Sequence, residues 1–184
     1  MDTLARLGAA EPVEGAGLLG ARLLARLITL RRRLGRYTAP CTAVHGDFWP
    51  GNVLVHQGAV SGVVDWERYE PTGSPTRDLA RFVLTYSYYL DGHTKPGHRV
   101  RGHPGLVAGD PAAGVRYALD GAGWYPDLVR EYLGRGLARL GLPRECGRDA
   151  VLAEVAALAA EATDDGFRRQ QLRVLDQLCK AVIP

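Results

Sequence analysis

Apolar residues repeat at three- and four-residue steps over five stretches of the sequence. In the first stretch, Leu23, Leu27 and Leu30 follow this spacing. Such a repeat places apolar side chains on one face of an α-helix, where they can pack against a core. The pattern therefore predicts helices over 18–34, about 77–90, 126–140, 149–162 and 165–182.

Shorter apolar runs lie between the first two predicted helices. A short strand is predicted over 41–44, and the runs 52–56 and 60–65 flank a Gln-Gly-Ala turn. Two β-branched runs around such a turn predict a β-hairpin. Glycine and proline are concentrated in 70–76 and 91–112, which predicts a loop and an irregular insert. The chain is therefore expected to be mainly α with a small β-hairpin.

Composition narrows the class of protein. The chain has 184 residues, of which 46% are hydrophobic and 23% charged, which indicates one globular domain and excludes a disulfide scaffold. The net charge of +3 is too small to indicate nucleic-acid binding, and no apolar run is long enough to cross a membrane. Three widely spaced cysteines and the lack of a signal-peptide pattern predict a cytoplasmic protein.

Polar residues at the open end of the predicted hairpin form a candidate metal site. If the turn centres on Gly58 and Ala59, Asn52 lies opposite Asp65. Directly opposed residues have Cβ atoms about 4.5–5.5 Å apart, close enough to share a divalent cation. An amide oxygen and a carboxylate are hard ligands of the kind that Mg²⁺ prefers. The pair is therefore a candidate Mg²⁺ site.

The loop before Asn52 carries a candidate base. Asp47 lies five residues earlier, where its carboxylate could accept a proton from a substrate hydroxyl without binding the metal. His45 is better placed to brace the loop than to take part in chemistry. A purely structural reading, in which Asp47 and Asn52 cap a turn and Asp65 ends a strand, is the alternative.

This combination resembles the catalytic loop of kinase-like phosphotransferases, in which His-x-Asp-x-x-x-x-Asn is followed, after a hairpin, by a metal-binding Asp. The stretch His45–Val55, then Val-Val-Asp-Trp-Glu and then Arg-Asp-Leu-Ala at 77–80, is similar to the aminoglycoside phosphotransferase family. The resemblance is close from His45 to about Phe82. It implies a two-lobed enzyme of which this chain carries the C-lobe.

The resemblance implies roles for individual residues. Asp47 would be the catalytic base, and Asn52 and Asp65 would bind Mg²⁺. Asp78 would anchor the catalytic loop through its backbone. Three further residues lie near the site: Glu67, Trp49 and Trp66. Glu67 lies where an extra acid often follows the metal-binding Asp. The two tryptophans could wall the pocket or simply pack.

The nucleotide-binding lobe of such enzymes is expected to be absent. Only 44 residues precede His45 and none is lysine, although a strand lysine normally holds the phosphates. Gly15, Gly17 and Gly20 match a Gly-x-Gly-x-x-Gly phosphate loop, but no strand precedes them. We therefore expect a flexible leader over 1–17 and a kinase-like C-lobe of α+β type over 18–184.

Two functions from different classes follow. The first is transfer of the γ-phosphoryl group of ATP or GTP, with Mg²⁺, to a hydroxyl of an aminoglycoside, sugar or amino alcohol. A separate N-lobe or a second copy of the chain could complete the nucleotide site. The second is an inactive, truncated or pseudokinase C-lobe that binds a substrate or a partner. The missing lysine favours the second, and the intact Asp47, Asn52 and Asp65 favour the first.

Overall fold

A computed structural model of the chain describes residues 17–37 and 39–180. In chain order, its helices are α1 (Gly17–Leu34), α2 (Arg77–Tyr89), α3 (Pro111–Asp120), α4 (Trp124–Arg139), α5 (Cys146–Glu161) and α6 (Asp165–Lys180). Its strands are β1 (Thr42–Val44), β2 (Val53–His56), β3 (Ala59–Val63) and β4 (Glu70–Gly73). Both sheets are antiparallel and two-stranded, β1 with β4 and β2 with β3. The predicted mainly-α fold is confirmed.

Helix α5 forms the centre of the molecule. Its sequence is apolar on nearly every side, which is typical of a helix surrounded by others. Val151, Val155 and Ala156 are fully buried, and α1, α2, α4 and α6 all pack against this helix. The five predicted helices therefore form one body with α5 at its core, and the loops before α2 are attached to its side.

One helix, α3, was not predicted. Residues 111–120 fall partly in the glycine-rich stretch that predicts an irregular insert. Asp110 caps the helix by accepting a hydrogen bond from the Ala112 N–H at 3.0 Å. Gly114 allows the close packing of α3 on α2, because a Cβ there would lie 2.3 Å from the Ser87 carbonyl oxygen. Gly114 therefore weakens the helical pattern in the sequence and is also needed for the packing of α3 on α2.

A second strand pair, β1 with β4, was also not predicted. The sequence of β4 is Glu-Pro-Thr-Gly, which carries no apolar alternation and was expected to be a loop. Thr42 pairs with Gly73 and Val44 with Glu70. At Gly73 a Cβ would lie 2.3 Å from a methyl group of Val44, so only glycine fits there. The pairing joins the start of the loop that carries Asp47 to the segment before α2.

The hairpin β2–β3 has a different register from the predicted one. Gln57 and Gly58 form the turn, both with positive φ, so His56 pairs with Ala59. A bulge then shifts the pairing, and Val53 lies opposite Val63. By continuation Asn52 lies opposite Val64, whose N–H donates to the Asn52 carbonyl oxygen at 3.0 Å. The predicted direct opposition of Asn52 and Asp65 is therefore wrong by one residue.

The leader predicted over 1–17 lies outside the described residues except for Gly17. Helix α1 already begins at Gly17, so Gly17 and Gly20 of the Gly-x-Gly-x-x-Gly motif lie inside a helix. A phosphate loop requires these glycines in a turn between a strand and a helix. The described part of the motif therefore has helical rather than phosphate-loop geometry.

Candidate active site

Asp78 fixes the beginning of the loop that carries Asp47. It lies in the first turn of α2, and its two carboxylate oxygens accept hydrogen bonds from consecutive backbone N–H groups. The His45 N–H donates to Oδ2 at 2.7 Å, and the Gly46 N–H donates to Oδ1 at 3.1 Å. Hydrogen bonds to an ionised acceptor are stronger than neutral ones. The loop is thereby fixed to the helical body.

Gly46 makes this anchoring possible. Its φ of +80° is left-handed, which glycine adopts at little cost. A Cβ at this position would lie 2.1 Å from the Arg68 carbonyl oxygen. The segment after the hairpin therefore passes directly over the loop, and only glycine fits beneath it.

His45 joins the catalytic loop to the end of the hairpin. The side chain is buried, with its Nδ1 accepting from the Asp47 N–H at 3.3 Å and its Nε2 at 2.8 Å from the Val64 carbonyl oxygen. These partners assign the neutral tautomer with the proton on Nε2. His45 therefore connects the residue before Asp65 with the backbone of Asp47.

Asp47 presents its carboxylate to solvent from this fixed loop. About a third of its side chain is exposed (32%), and Oδ1 accepts from Nη1 of Arg81 at 3.3 Å. The Asp47 carbonyl oxygen accepts from Nδ2 of Asn52 at 3.0 Å. Asp47, the candidate base, is thus linked through its backbone carbonyl group to Asn52, a candidate metal ligand. The Asp47 carboxylate remains accessible to a substrate.

Asn52 and Asp65 both lie at the open end of the hairpin. Asn52 is buried, and its amide nitrogen is used by the Asp47 carbonyl, which leaves Oδ1 as a possible ligand. Asp65 follows Val64, is exposed, and has left-handed backbone geometry with φ of +65°. The two side chains belong to neighbouring residues across the hairpin end, even though the register is offset.

The donor set at this end fits magnesium. One amide oxygen and one carboxylate are hard ligands, and Mg²⁺ usually keeps several waters and binds substrate phosphates besides one or two protein groups. Among residues 17–37 and 39–180, no cluster of three or more His, Cys, Asp or Glu side chains could hold a metal. A site of two protein ligands completed by phosphate and water remains compatible with these residues.

Aromatic side chains surround the loop. Trp66 lies against the His45 ring, with centroids 4.5 Å apart. Trp49 stacks on Tyr89 at 6.0 Å, at the end of α2. Glu67 is exposed in the 3₁₀ turn directly after Asp65. The tryptophans therefore pack against the loop and the helix that carries its anchor, while Glu67 faces solvent beside the hairpin end.

Beneath the loop lies an ion-pair network that sequence reasoning missed. Arg81 is buried in α2, with its Nε donating to Glu154 of α5 and its Nη2 lying 3.9 Å from Glu161. Arg77, one turn earlier, donates to Glu161 at 3.0 and 3.1 Å. Burial raises the pKa of Glu154 to about 7, against the opposing effect of the two arginines. This network connects Asp47 to the core helix.

A sequence signal for this network existed. Glu154 is the only charged residue in the run Ala150–Ala160 of an otherwise apolar helix. Acids are almost never fully buried unless they are paired. Arg81 carries no such signal, because it lies on the opposite side of α2 from the apolar repeat Leu79, Phe82, Val83 and Tyr86. Glu154 alone therefore indicates a buried, paired acid, and the sequence does not name its partner.

Comparisons with known proteins identify a family. A family model described as "Phosphotransferase enzyme family" matches residues 4–145. The match covers most of the chain and extends beyond the stretch 45–82 that carries the motif resemblance. No curated protein and no solved structure gives a significant match.

None of the helices described by the structure combines the length and the apolar character that crossing a membrane requires.

Proposed function

Because the chain belongs to the phosphotransferase enzyme family, we propose that it transfers the γ-phosphoryl group of a nucleoside triphosphate to a hydroxyl of a small molecule. The observation that carries this proposal is the setting of Asp47. Its carboxylate is accessible on a loop that Asp78 fixes by two backbone hydrogen bonds; Asn52 donates to the Asp47 carbonyl oxygen, and His45 joins the loop to Val64, the residue before Asp65. A base next to two hard oxygen ligands is what phosphoryl transfer to a hydroxyl requires.

Asp47 would act on the acceptor. Its carboxylate would accept the hydrogen bond of the substrate hydroxyl, orient its oxygen toward the γ-phosphorus and take the proton as the new P–O bond forms. The bond from the γ-phosphorus to the β–γ bridging oxygen breaks, and the nucleoside diphosphate leaves with that electron pair. Asp78 and His45 would hold the loop still during transfer.

Asn52 and Asp65 would hold Mg²⁺. When bound, the ion neutralises charge on the triphosphate. Its protein ligands would be Oδ1 of Asn52, which is left over once Nδ2 has donated to Asp47, and the Asp65 carboxylate. We propose ATP or GTP as the donor.

The acceptor would be an aminoglycoside, a sugar or an amino alcohol. Trp49, Trp66 and Glu67, which lie in or beside the loop, would contact the acceptor. Nucleic acid and membranes are not proposed as partners. A separate nucleotide-binding lobe or a second copy of this chain is proposed to complete the binding of the triphosphate.

The test measures release of nucleoside diphosphate. The purified chain, with ATP or GTP and Mg²⁺, is supplied with a panel of hydroxylated acceptors. Acceptor-dependent release is expected, and it should be lost in Asp47→Asn. Glu131→Gln, which alters an exposed ion pair with Arg135 on α4, is the matched control and should behave as wild type.

Two results would contradict the proposal for the chain alone. If no nucleotide binds at millimolar concentration with Mg²⁺, the chain is not an autonomous phosphotransferase. If nucleotide or acceptor binds but no transfer occurs with any acceptor, the chain is a binding module, the second function considered above.

A further inference from the structure

We propose that Arg81 is a positioning residue that sets the orientation of the Asp47 carboxylate. This inference rests on the proposed role of Asp47 as the base, and concerns the residue that holds it. Arg81 lies in the second turn of α2, below the catalytic loop, and only 3% of it is exposed. Its Nη1 donates to Oδ1 of Asp47 at 3.3 Å.

The guanidinium is itself held from below. Nε of Arg81 donates to Glu154, a core residue of α5, and both side chains are only 4% exposed. A planar group with a fixed fork of donors cannot rotate without breaking that bond. Nη1 is thereby directed at the loop. A lysine could not do the same, because its single ammonium group has no fork to span both carboxylates.

The contact with Asp47 is not explained by stability. Asp47 is a third exposed, and ion pairs with exposed partners contribute little to folding. Nη2 of Arg81 is buried without a hydrogen bond in the described part of the chain, 3.9 Å from Glu161. A pair selected for stability would place all donors on good acceptors. In the observed arrangement Nη2 of Arg81 has no hydrogen bond among the described residues, while Nη1 donates to Asp47.

The consequence is an oriented base. Oδ1 is occupied by Arg81, whereas Oδ2 has no hydrogen-bond partner among the described residues. The carboxylate therefore offers one defined oxygen to the acceptor hydroxyl. Small misplacement of a reacting group can lower a rate by about 100-fold. Arg81 would thus act on kcat, while binding of the nucleotide would not depend on it.

The test removes Arg81 together with its core partner. In R81M/E154M two similar-sized apolar side chains replace the buried pair, which commonly preserves folding, whereas R81M alone leaves Glu154 unpaired. The matched control is R26M, because Arg26 forms a part-buried ion pair with Asp176 far from the loop and Lys180 still pairs with that acid. Crystal structures and steady-state kinetics are compared for wild type and both variants.

We expect the Asp47 carboxylate to leave its wild-type orientation in R81M/E154M and to keep it in R26M. With an acceptor that supports transfer, kcat of R81M/E154M should fall about 100-fold while KM for the Mg²⁺–nucleotide stays within about twofold. An unchanged Asp47 orientation, or an unchanged kcat, would overturn the role of Arg81. Failure of the wild-type chain to transfer phosphate would instead contradict the proposed function, and the crystal structures would still decide the role of Arg81.

Discussion

Two residues with left-handed backbone frame the candidate site. Gly46 precedes Asp47 with φ of +80°, and Asp65 has φ of +65°. Asp is one of the few side chains that tolerates this region, at a cost of about 1–2 kcal/mol for a residue with a Cβ. At Gly46 the backbone of Arg68 also fills the space that a Cβ would need. The position of Gly46 therefore accepts only glycine, whereas the position of Asp65 accepts a side chain.

Gly46→Ala is expected to destabilise the protein by about 2–4 kcal/mol, because backbone strain adds to an overlap with the Arg68 carbonyl oxygen. Gly58→Ala is the matched control. Gly58 has nearly the same φ, +78°, but open space around it, so only about 1 kcal/mol is expected. Urea unfolding of both variants measures the difference. Equal losses would show that the overlap at Gly46 relaxes freely.

Asp78→Asn should weaken the anchor of the catalytic loop. The amide replaces one of two acceptor oxygens by a donor, which then faces the N–H of His45 or Gly46. A loss of about 1–3 kcal/mol in unfolding free energy is expected, as for other buried groups left unpaired. Asp91→Asn is the control, since Asp91 accepts one exposed N–H, from Gly109, at 2.9 Å. A loss no larger than that of Asp91→Asn would contradict the anchoring role.

At the scale of elements, α2 and α5 are joined by charges rather than by apolar contact alone. Arg77 and Arg81 of α2 face Glu154 and Glu161 of α5. Burial keeps the pKa of Glu154 at about 7, well above its ordinary value of 4.5. The interface beneath the catalytic loop is therefore sensitive to pH.

The direction of this sensitivity follows from linkage. Between pH 4.5 and about 7 the folded chain keeps a proton on Glu154 that the unfolded chain has released, so the contribution of Glu154 to stability falls as pH rises. Relative to Glu154→Gln, wild type should lose up to about 3 kcal/mol over this range. Denaturant unfolding at pH 5 and at pH 8 checks this. A difference between the two proteins that is constant with pH would contradict it.

Elements whose formation depends on their own periodicity could be predicted from the sequence. Helices α1, α2 and α4–α6 were predicted, with ends that differ by a few residues. Helix α3 was not, because Gly114, which permits its packing on α2, weakens the helical pattern. Strand β4 was not, because Glu-Pro-Thr-Gly is paired only through β1. Both depend on tertiary contacts that no local pattern reveals.

The candidate site shows the same division. His45, Asp47, Asn52 and Asp65 could be named from their places around the predicted hairpin, and Asp78 from the family resemblance. The register of the hairpin could not, because the turn at Gln57–Gly58 and the bulge shift it in opposite senses. Arg81 was missed because the residue it touches, Asp47, lies 34 positions away in sequence. Motifs identify the candidate residues of the loop and the hairpin end, whereas tertiary packing decides which side chains contact them from below.

At the scale of the whole molecule, α1 is joined to the body by ion pairs. Arg26 pairs with Asp176 of α6, and Arg33 pairs with Asp149 of α5 at 2.8 Å. Leu27 and Leu30 of α1 belong to the same core cluster as α5 and α6. Two arginines of α1 are thus used in contacts within the molecule. The described helices share one core.

The three cysteines can test whether this body unfolds as a unit. Cys41 is exposed before β1, whereas Cys146 begins α5 and Cys179 lies near the end of α6, and burial raises the pKa of both of these thiols. Thiolate is the reactive form, so Cys41 should react quickly with a disulfide reagent at pH 8 and the other two slowly. If the core around α5 opens only by global unfolding, buried Cys146 should react at the rate of global unfolding, whereas half-buried Cys179 should react at a rate between those of Cys41 and Cys146. Mass spectrometry of the modified peptides measures each site. Reaction of Cys146 faster than global unfolding would show that the start of α5 opens separately, and the core around α5 would then not be a single cooperative unit.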